Sequence, residues 1–214
     1  PTGIEFDKFS VKYKNSSQII SLKKKLGIGP ADTVLLSLGR VAKEKSIDVV
    51  LNGYAAYCKS HKVNNTKFVI VGDGPALNDL KELAKQLKVD NSVIFTGRVD
   101  PSETQIYYWL GDIFASASIT ETQGLTFMEA MAASLIVLAR YDDNLAGTIV
   151  EGKTGFFFEN EADFSKVFEN VIKLGVDDKK KVIQAALDYI DPYSMDNFYK
   201  NVIEVYKRAI KKYW

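Results

Sequence analysis

Asp112-Ile-Phe-Ala-Ser-Ala117, then Glu121-Thr-Gln-Gly-Leu-Thr-Phe-Met-Glu129 and Ala130-Met-Ala-Ala-Ser134, form the stretch on which the fold turns. A short apolar run of strand length gives way to a glycine, and then to a helix-forming run rich in Ala and Met. The unit reads as strand, loop and helix, with Gly124 at the junction. A helix N-terminus offers unpaired backbone N–H groups and about half a unit of positive charge, which suits an anion or a polyhydroxyl ligand. Gly124 lets such a ligand approach the backbone closely. Glu121 lies before the helix and Glu129 in its second turn, so both carboxylates can face one ligand from different heights.

The same alternation runs outward in both directions. Apolar runs of strand length occupy 33–38, 67–71, 92–95 and 135–139, with a short edge strand at 155–158. Helical patterns cover 16–26, 47–60, 76–88 and 101–110, a short one 145–151, and three more 161–174, 179–189 and 194–212. Short buried strands alternating with helices predict an α/β fold. It is a Rossmann-like, doubly wound parallel sheet of about six strands with helices on both faces. Neither an internal repeat nor a low-complexity linker breaks the pattern, so residues 1–214 are expected to form one domain.

Composition narrows the function classes. The formal net charge of the 214 residues is +1, so no global basic field argues for nucleic acid. One cysteine, Cys58, excludes an internal disulfide and a Cys-based metal site, and points to a reducing, cytoplasmic setting. One histidine, His61, excludes a His-cluster metal site. No apolar run reaches the roughly 20 residues of a membrane helix. His61 and the clusters Lys23–Lys25 and Lys179–Lys181 read as solvated. Cys58, Tyr54, Tyr57, Tyr107, Tyr108 and Trp109 read as packing residues.

In a doubly wound sheet, ligands bind beyond the C-terminal strand ends, near the switch in strand order. Four segments follow strands and gather there. Gly39-Arg40, with Lys45, offers a bidentate fork and a mobile point charge for a diphosphate. Gly72-Asp-Gly-Pro75 lacks the third glycine of a dinucleotide fingerprint, and Thr96 stands where an acidic residue would end the next strand. A tight strand-to-helix turn, with Pro75 at the first helical position, is the better reading of Gly72 and Gly74. Gly97-Arg98-Val99 can flank a flat base, or be a plain loop. Glu121 to Glu129 is the fourth segment.

Taken in order, the segments resemble the C-terminal, donor-binding domain of retaining glycosyltransferases of family four, which have two-domain GT-B architecture. The matching pieces are Pro1-Thr-Gly-Ile-Glu-Phe-Asp-Lys-Phe9, Gly39-Arg40 with Glu44-Lys45, Val71-Gly-Asp-Gly-Pro75, Phe95-Thr-Gly-Arg-Val99 and Glu121 to Glu129. The local run from Ser118 to Ala132, with Ala139-Arg-Tyr-Asp-Asp-Asn144, looks closest to bacterial glucosyltransferases acting on diacylglycerol. Departures are Ala117-Ser118 where the family often has Pro-Ser, Ser46 where glycine commonly follows the lysine, and Ser134 and Ile136 where Gly and Pro are common.

The resemblance implies transfer of a hexose from a nucleoside-diphosphate sugar, a UDP-sugar by preference, to a lipid or polysaccharide. It implies that Arg40 and Lys45 hold the diphosphate, and that Glu121 meets the transferred sugar. Thr122, Gln123, Gly124, Leu125 and Thr126 touch sugar and phosphate, Glu129 takes the ribose hydroxyls, and Val99 lies at the base. Catalytic roles fall to Glu121, Arg40 and Lys45, with Gly39, Gly72, Gly74 and Arg98 flanking the ligand. No cofactor or metal is required. Residues 1–15 would lead in from an absent N-terminal acceptor domain, and 194–212 would cross back to it. The full protein would work in the bacterial cytoplasm at the inner face of the membrane, in cell-envelope glycolipid or capsule synthesis. A noncatalytic nucleotide-sugar-binding module is the alternative. An NAD-dependent oxidoreductase half is disfavoured by the broken glycine fingerprint.

Overall fold

The computed structural model describes residues 3–61, 65–118 and 124–213. Six strands form one sheet: β1 (Thr33–Leu38), β2 (Thr66–Val71), β3 (Val93–Gly97), β4 (Ile113–Ser116), β5 (Ile136–Arg140) and β6 (Phe156–Phe158). Their order is β3-β2-β1-β4-β5-β6, and every pairing is parallel. The order reverses between β1 and β4, which makes that junction the switch point. The expected α/β, Rossmann-like doubly wound sheet is present, with β6 at the edge.

Alternation along the strands sends successive side chains to two cores. Val34 and Leu36 of β1, Val69 and Val71 of β2, Phe114 of β4 and Val137 of β5 face one layer of helices. That layer contains α1 (Ser17–Lys25), α4 (Thr104–Leu110), α5 (Leu125–Ala132) and α7 (Val176–Ile190). Leu35, Phe68, Ile70, Ile113 and Leu138 face the other layer. It contains α2 (Ile47–Ser60), α3 (Leu77–Gln86) and α6 (Glu161–Lys173). Burial on both faces is why β1 and β2 read as continuous apolar runs.

The helix ends explain two departures in the sequence. α5 closes in a Schellman motif: Leu135 N–H donates to Ala130 O and Ser134 N–H to Met131 O, both at 2.9 Å. This requires a left-handed residue, and Ser134 takes φ 60°. Ser46, which follows Lys45 and precedes α2, has φ 46°. Both serines therefore stand where glycine would sit without strain. The backbone course is kept at some cost.

Several expectations need correction. The helix over 145–151 does not form. Asp142 accepts from the Asn144 N–H at 2.9 Å and opens a 3-10 turn, Asp143–Leu145, that stops there. Leu145 and Ile149 are still buried. Pro75 lies in the turn before α3 rather than at its first position, because the helix begins at Leu77. α7 begins at Val176, with Asp177 and Asp178 favourably placed in its first turn.

His61 is half-buried rather than fully solvated. Its ring stacks on Tyr57 at 4.2 Å, and Nε2 lies 3.4 Å from a Glu169 carboxylate oxygen. Lys179 caps α6 by donating to Ile172 O at 2.9 Å. The last helix, α8 (Met195–Tyr213), leaves Tyr199, Ile203, Val205, Tyr206 and Ile210 exposed. Among the described residues, no helix is long and apolar enough to cross a membrane.

Ser134→Gly should stabilise the protein by about 0.5–1 kcal/mol, the relief of left-handed strain less the added freedom of the unfolded chain. For a chain of this size that is roughly a 1–4 °C rise in Tm. An unchanged or lower Tm would mean that the serine is not strained. Gly53→Ala should act in the opposite sense, although alanine is the better helix former. A Cβ there would lie 2.6 Å from the Phe164 ring and 2.8 Å from Glu161 O. The α2–α6 packing must then open, for a net loss of about 1–3 kcal/mol by denaturant titration.

Candidate functional site

The loops after β1, β2 and β3 are tied together backbone to backbone. Gly39 N–H donates to Val71 O at 3.0 Å, Val41 N–H to Asp73 O at 3.0 Å, and Ala76 N–H back to Val41 O at 3.1 Å. Gly72 N–H reaches Gly97 O at 3.1 Å. The two glycines of the Gly72-Asp-Gly74 loop are sterically required. Their φ values are 136° and 159°, and a Cβ on either would run into Gly39 O or Val41 O. These contacts account for both glycines without a dinucleotide.

A cleft of about 370 Å³ opens over this zipped backbone. Its walls are Leu38, Gly39 and Arg40 from the first loop, Val71 to Gly74 from the second, Arg98 and Val99 from the third, and Thr104 at the start of α4. A second cleft of about 250 Å³ shares Leu38, Gly39 and Arg40, and runs between β1 and β4. Lys45, Ser116, Ala117 and Thr126 also line it.

The second cleft exists because β1 and β4 part company. β1 pairs with β2 along its whole length, but with β4 only at Leu35↔Ile113 and Leu36↔Phe114. One residue further on, the buried Ser37 hydroxyl takes over and donates to Ala115 O at 2.6 Å. This is the crevice that a doubly wound sheet opens at its switch point.

Three cations stand at these clefts: Arg40, Arg98 and Lys45. Arg40 is mostly exposed and meets Glu44 at 3.8 Å, a surface pair worth about 0–1 kcal/mol that would not withhold it from an anion. Lys45, on the 3-10 turn Lys43–Lys45, lies 3.5 Å from the hydroxyl of the buried Ser118. α5 starts beside the second cleft. Gly124 caps it at φ 59° and accepts from the Phe127 and Met128 N–H groups. The Leu125 and Thr126 N–H groups are ones for which a helix has no partner.

Glu129 sits one turn into α5, half-buried and outside the lining of either cleft. The Tyr108 hydroxyl donates to its carboxylate at 2.8 Å. Burial pushes the Glu129 carboxyl above its ordinary range, while the Tyr108 hydroxyl and the Lys8 charge pull it back.

The structure thus gathers Gly39, Arg40, Gly72, Gly74, Arg98 and Val99 in one cleft, and Lys45 and Thr126 in its neighbour. Gly124, Leu125 and Glu129 follow on α5. Glu121, Thr122 and Gln123 lie outside the described residues. Sequence reasoning missed Ser37 and Thr104, and took Tyr108 for packing alone. A polar residue inside an apolar strand is the signal that could have found Ser37. Thr104 and Tyr108 carry no such signal, since their roles depend on what the fold brings opposite them.

The family model for "Glycosyl transferases group 1" matches residues 18–188. Alpha-monoglucosyldiacylglycerol synthase of Streptococcus pneumoniae is 39% identical over 210 residues, spanning 98% of this chain and 46% of that protein. The chain spans about half the length of the curated relatives it matches. Among solved structures, Anabaena HepE in complex with UDP and glucose superposes with a TM-score of 0.80 at 17% identity, over 96% of this chain and 55% of that one. The C-terminal domain of the Francisella tularensis group 1 glycosyl transferase LpcC gives 0.76 at 24% identity, over 90% of this chain and all of that one. With the matched model running from α1 into α7 and taking in both clefts, the chain belongs to the group 1 glycosyl transferases.

Proposed function

We propose that the chain is the donor-binding portion of a retaining glycosyltransferase that moves a hexose from a UDP-sugar to a lipid acceptor. The observation that carries this reading is the meeting of two clefts at Gly39 and Arg40. One cleft, over glycine-rich backbone beside Val99, suits a nucleoside. The other, with Lys45 and the start of α5, suits a diphosphate and the sugar beyond it. Arg40 lines both, at the point where a diphosphate would bridge them. The name of the S. pneumoniae relative and the UDP and glucose bound by the Anabaena neighbour support glucose, UDP and a diacylglycerol acceptor.

In this reading Val99 and Arg98 flank the base, and Glu129 accepts the ribose hydroxyls. Arg40 and Lys45 hold the diphosphate. Glu121 orients the sugar, and the amides from Thr122 to Thr126 contact sugar and phosphate. Cleaving the sugar–phosphate bond moves an electron pair onto the diphosphate, while positive charge grows on the sugar. Arg40, Lys45 and the α5 N-terminus stabilise the leaving charge, while the acceptor oxygen bonds to the anomeric carbon on the same face and passes its proton to the departing phosphate. Each such donor is worth about 10²–10³ in rate. The acceptor groove is assigned to a domain outside these 214 residues. The alternative, a module that binds the nucleotide sugar without catalysis, uses the same residues and differs only in the full protein's turnover.

Calorimetric titration with UDP, UDP-glucose, GDP-mannose and NAD tests the reading. UDP and UDP-glucose should bind saturably, and Arg40→Ala and Glu129→Ala should each weaken UDP about tenfold or more, as charge-assisted hydrogen bonds predict. Tight NAD binding with none of a nucleoside diphosphate would overturn it. The chain by itself should transfer negligible sugar, and robust turnover would refute the assignment of the acceptor groove elsewhere.

A third expectation concerns Glu129 without ligand. Its folded carboxyl lies above the ordinary 4.5, so this group's contribution to stability is greatest below that value and falls as pH rises through the folded one. Glu129→Gln should therefore raise Tm at neutral pH, with the gain fading toward pH 4.5, while UDP affinity drops. A Tm that falls at neutral pH would show that the charge stabilises the fold instead.

A further inference from the structure

We infer that Tyr108 is a positioning residue for nucleotide binding: its hydroxyl fixes the Glu129 carboxylate in the orientation that receives the ribose. The inference rests on the proposed role of Glu129. Tyr108 is fully buried on α4, and Glu129 is half-buried on α5. The hydroxyl donates to the Glu129 carboxylate at 2.8 Å and also lies 3.4 Å from Thr126 O, one turn earlier on the same helix. One phenol therefore touches both the carboxylate and the first turn of α5.

The ring itself is clamped. Phe9 meets it edge-on at 5.5 Å, and Phe114 of β4 lies at 6.0 Å. Phe9 is tied to α4 in turn, since the neighbouring Trp109 indole N–H donates to Phe9 O at 3.1 Å. A buried phenol held on several sides has little rotational freedom, so its hydrogen bond sets a direction for the flexible glutamate side chain. Glu129 has two carboxylate oxygens and about four lone-pair positions. Tyr108 occupies one and leaves others for a pair of vicinal hydroxyls. The same bond favours the ionised form, which accepts hydrogen bonds only and is what a diol needs. Lys8, on the 3-10 turn Phe6–Phe9, adds a favourable charge. Packing alone would be served by phenylalanine. The hydroxyl is the part that packing does not explain.

Tyr108→Phe keeps the ring and removes only the donor. With UDP, its dissociation constant should rise about tenfold. With 2′,3′-dideoxy-UDP, which has no ribose diol, it should stay within about twofold of the unaltered protein's value for that ligand. In a Glu129→Gln background, Tyr108→Phe should add little further loss for UDP, because the two act through one contact. Equal losses for UDP and the dideoxy ligand would mean that Tyr108 only supports the fold, and would overturn the inference. So would full UDP affinity in Tyr108→Phe while Glu129→Ala binds weakly. Full UDP affinity in Glu129→Ala would instead remove the ribose role of Glu129, and the inference with it. Because both ligands are compared on the same folded variant, a general loss of stability cannot mimic the expected pattern.

Discussion

The site depends on one local break in the sheet. β1 and β4 begin as ordinary parallel neighbours and separate after two pairs. Their helices leave on opposite faces, α2 to one layer and α5 to the other, so the two chains must diverge at their C-terminal ends. Where they part, the buried Ser37 hydroxyl spans the gap by donating to Ala115 O. An apolar residue there would remove that bond, at a cost of about 0.5–1.5 kcal/mol. One hydroxyl thus lets the sheet stay closed at its base and open at its top, where Arg40, Lys45 and the start of α5 face each other across the gap.

The walls follow from a second constraint, close backbone approach. The loops beyond β1, β2 and β3 keep trading hydrogen bonds after the regular ladder ends. This stiffens one rim of the cleft without bulky side chains and leaves N–H and C=O groups near the surface that a ligand would use. Gly72 and Gly74 are the price of that proximity. Elsewhere the chain carries serine at left-handed positions, Ser46 and Ser134, whereas Gly39 O crowds Gly72 so closely that no Cβ fits. A glycine required for φ alone can be replaced at moderate strain. A glycine required for both φ and space cannot.

The sequence made much of this legible. Continuous apolar strands, helical spacing and the placement of Gly39-Arg40, Gly72-Pro75 and Gly97-Val99 after strands predict the doubly wound sheet and the edge where these loops meet. The readings that failed are of one kind. Residues 145–151 have helical composition, yet Asp142 captures the first turn through a local side-chain bond. His61 looks solvated until α6 brings Glu169 against it. Tyr108 looks like core, and it is, but its hydroxyl meets a helix that lies 21 residues away in sequence.

By itself, then, the sequence determined the fold class, the strand-end loops and the cations within them. These follow from periodicity, from the conformational limits of glycine and from fixed side-chain charge, which are local properties. Only the tertiary structure decided that β1 and β4 separate over Ser37, that Arg40 belongs to two clefts at once, and that Glu129 is held by Tyr108. Each of these is a meeting of groups far apart along the chain. Pattern along one segment carries no information about what will be packed opposite it.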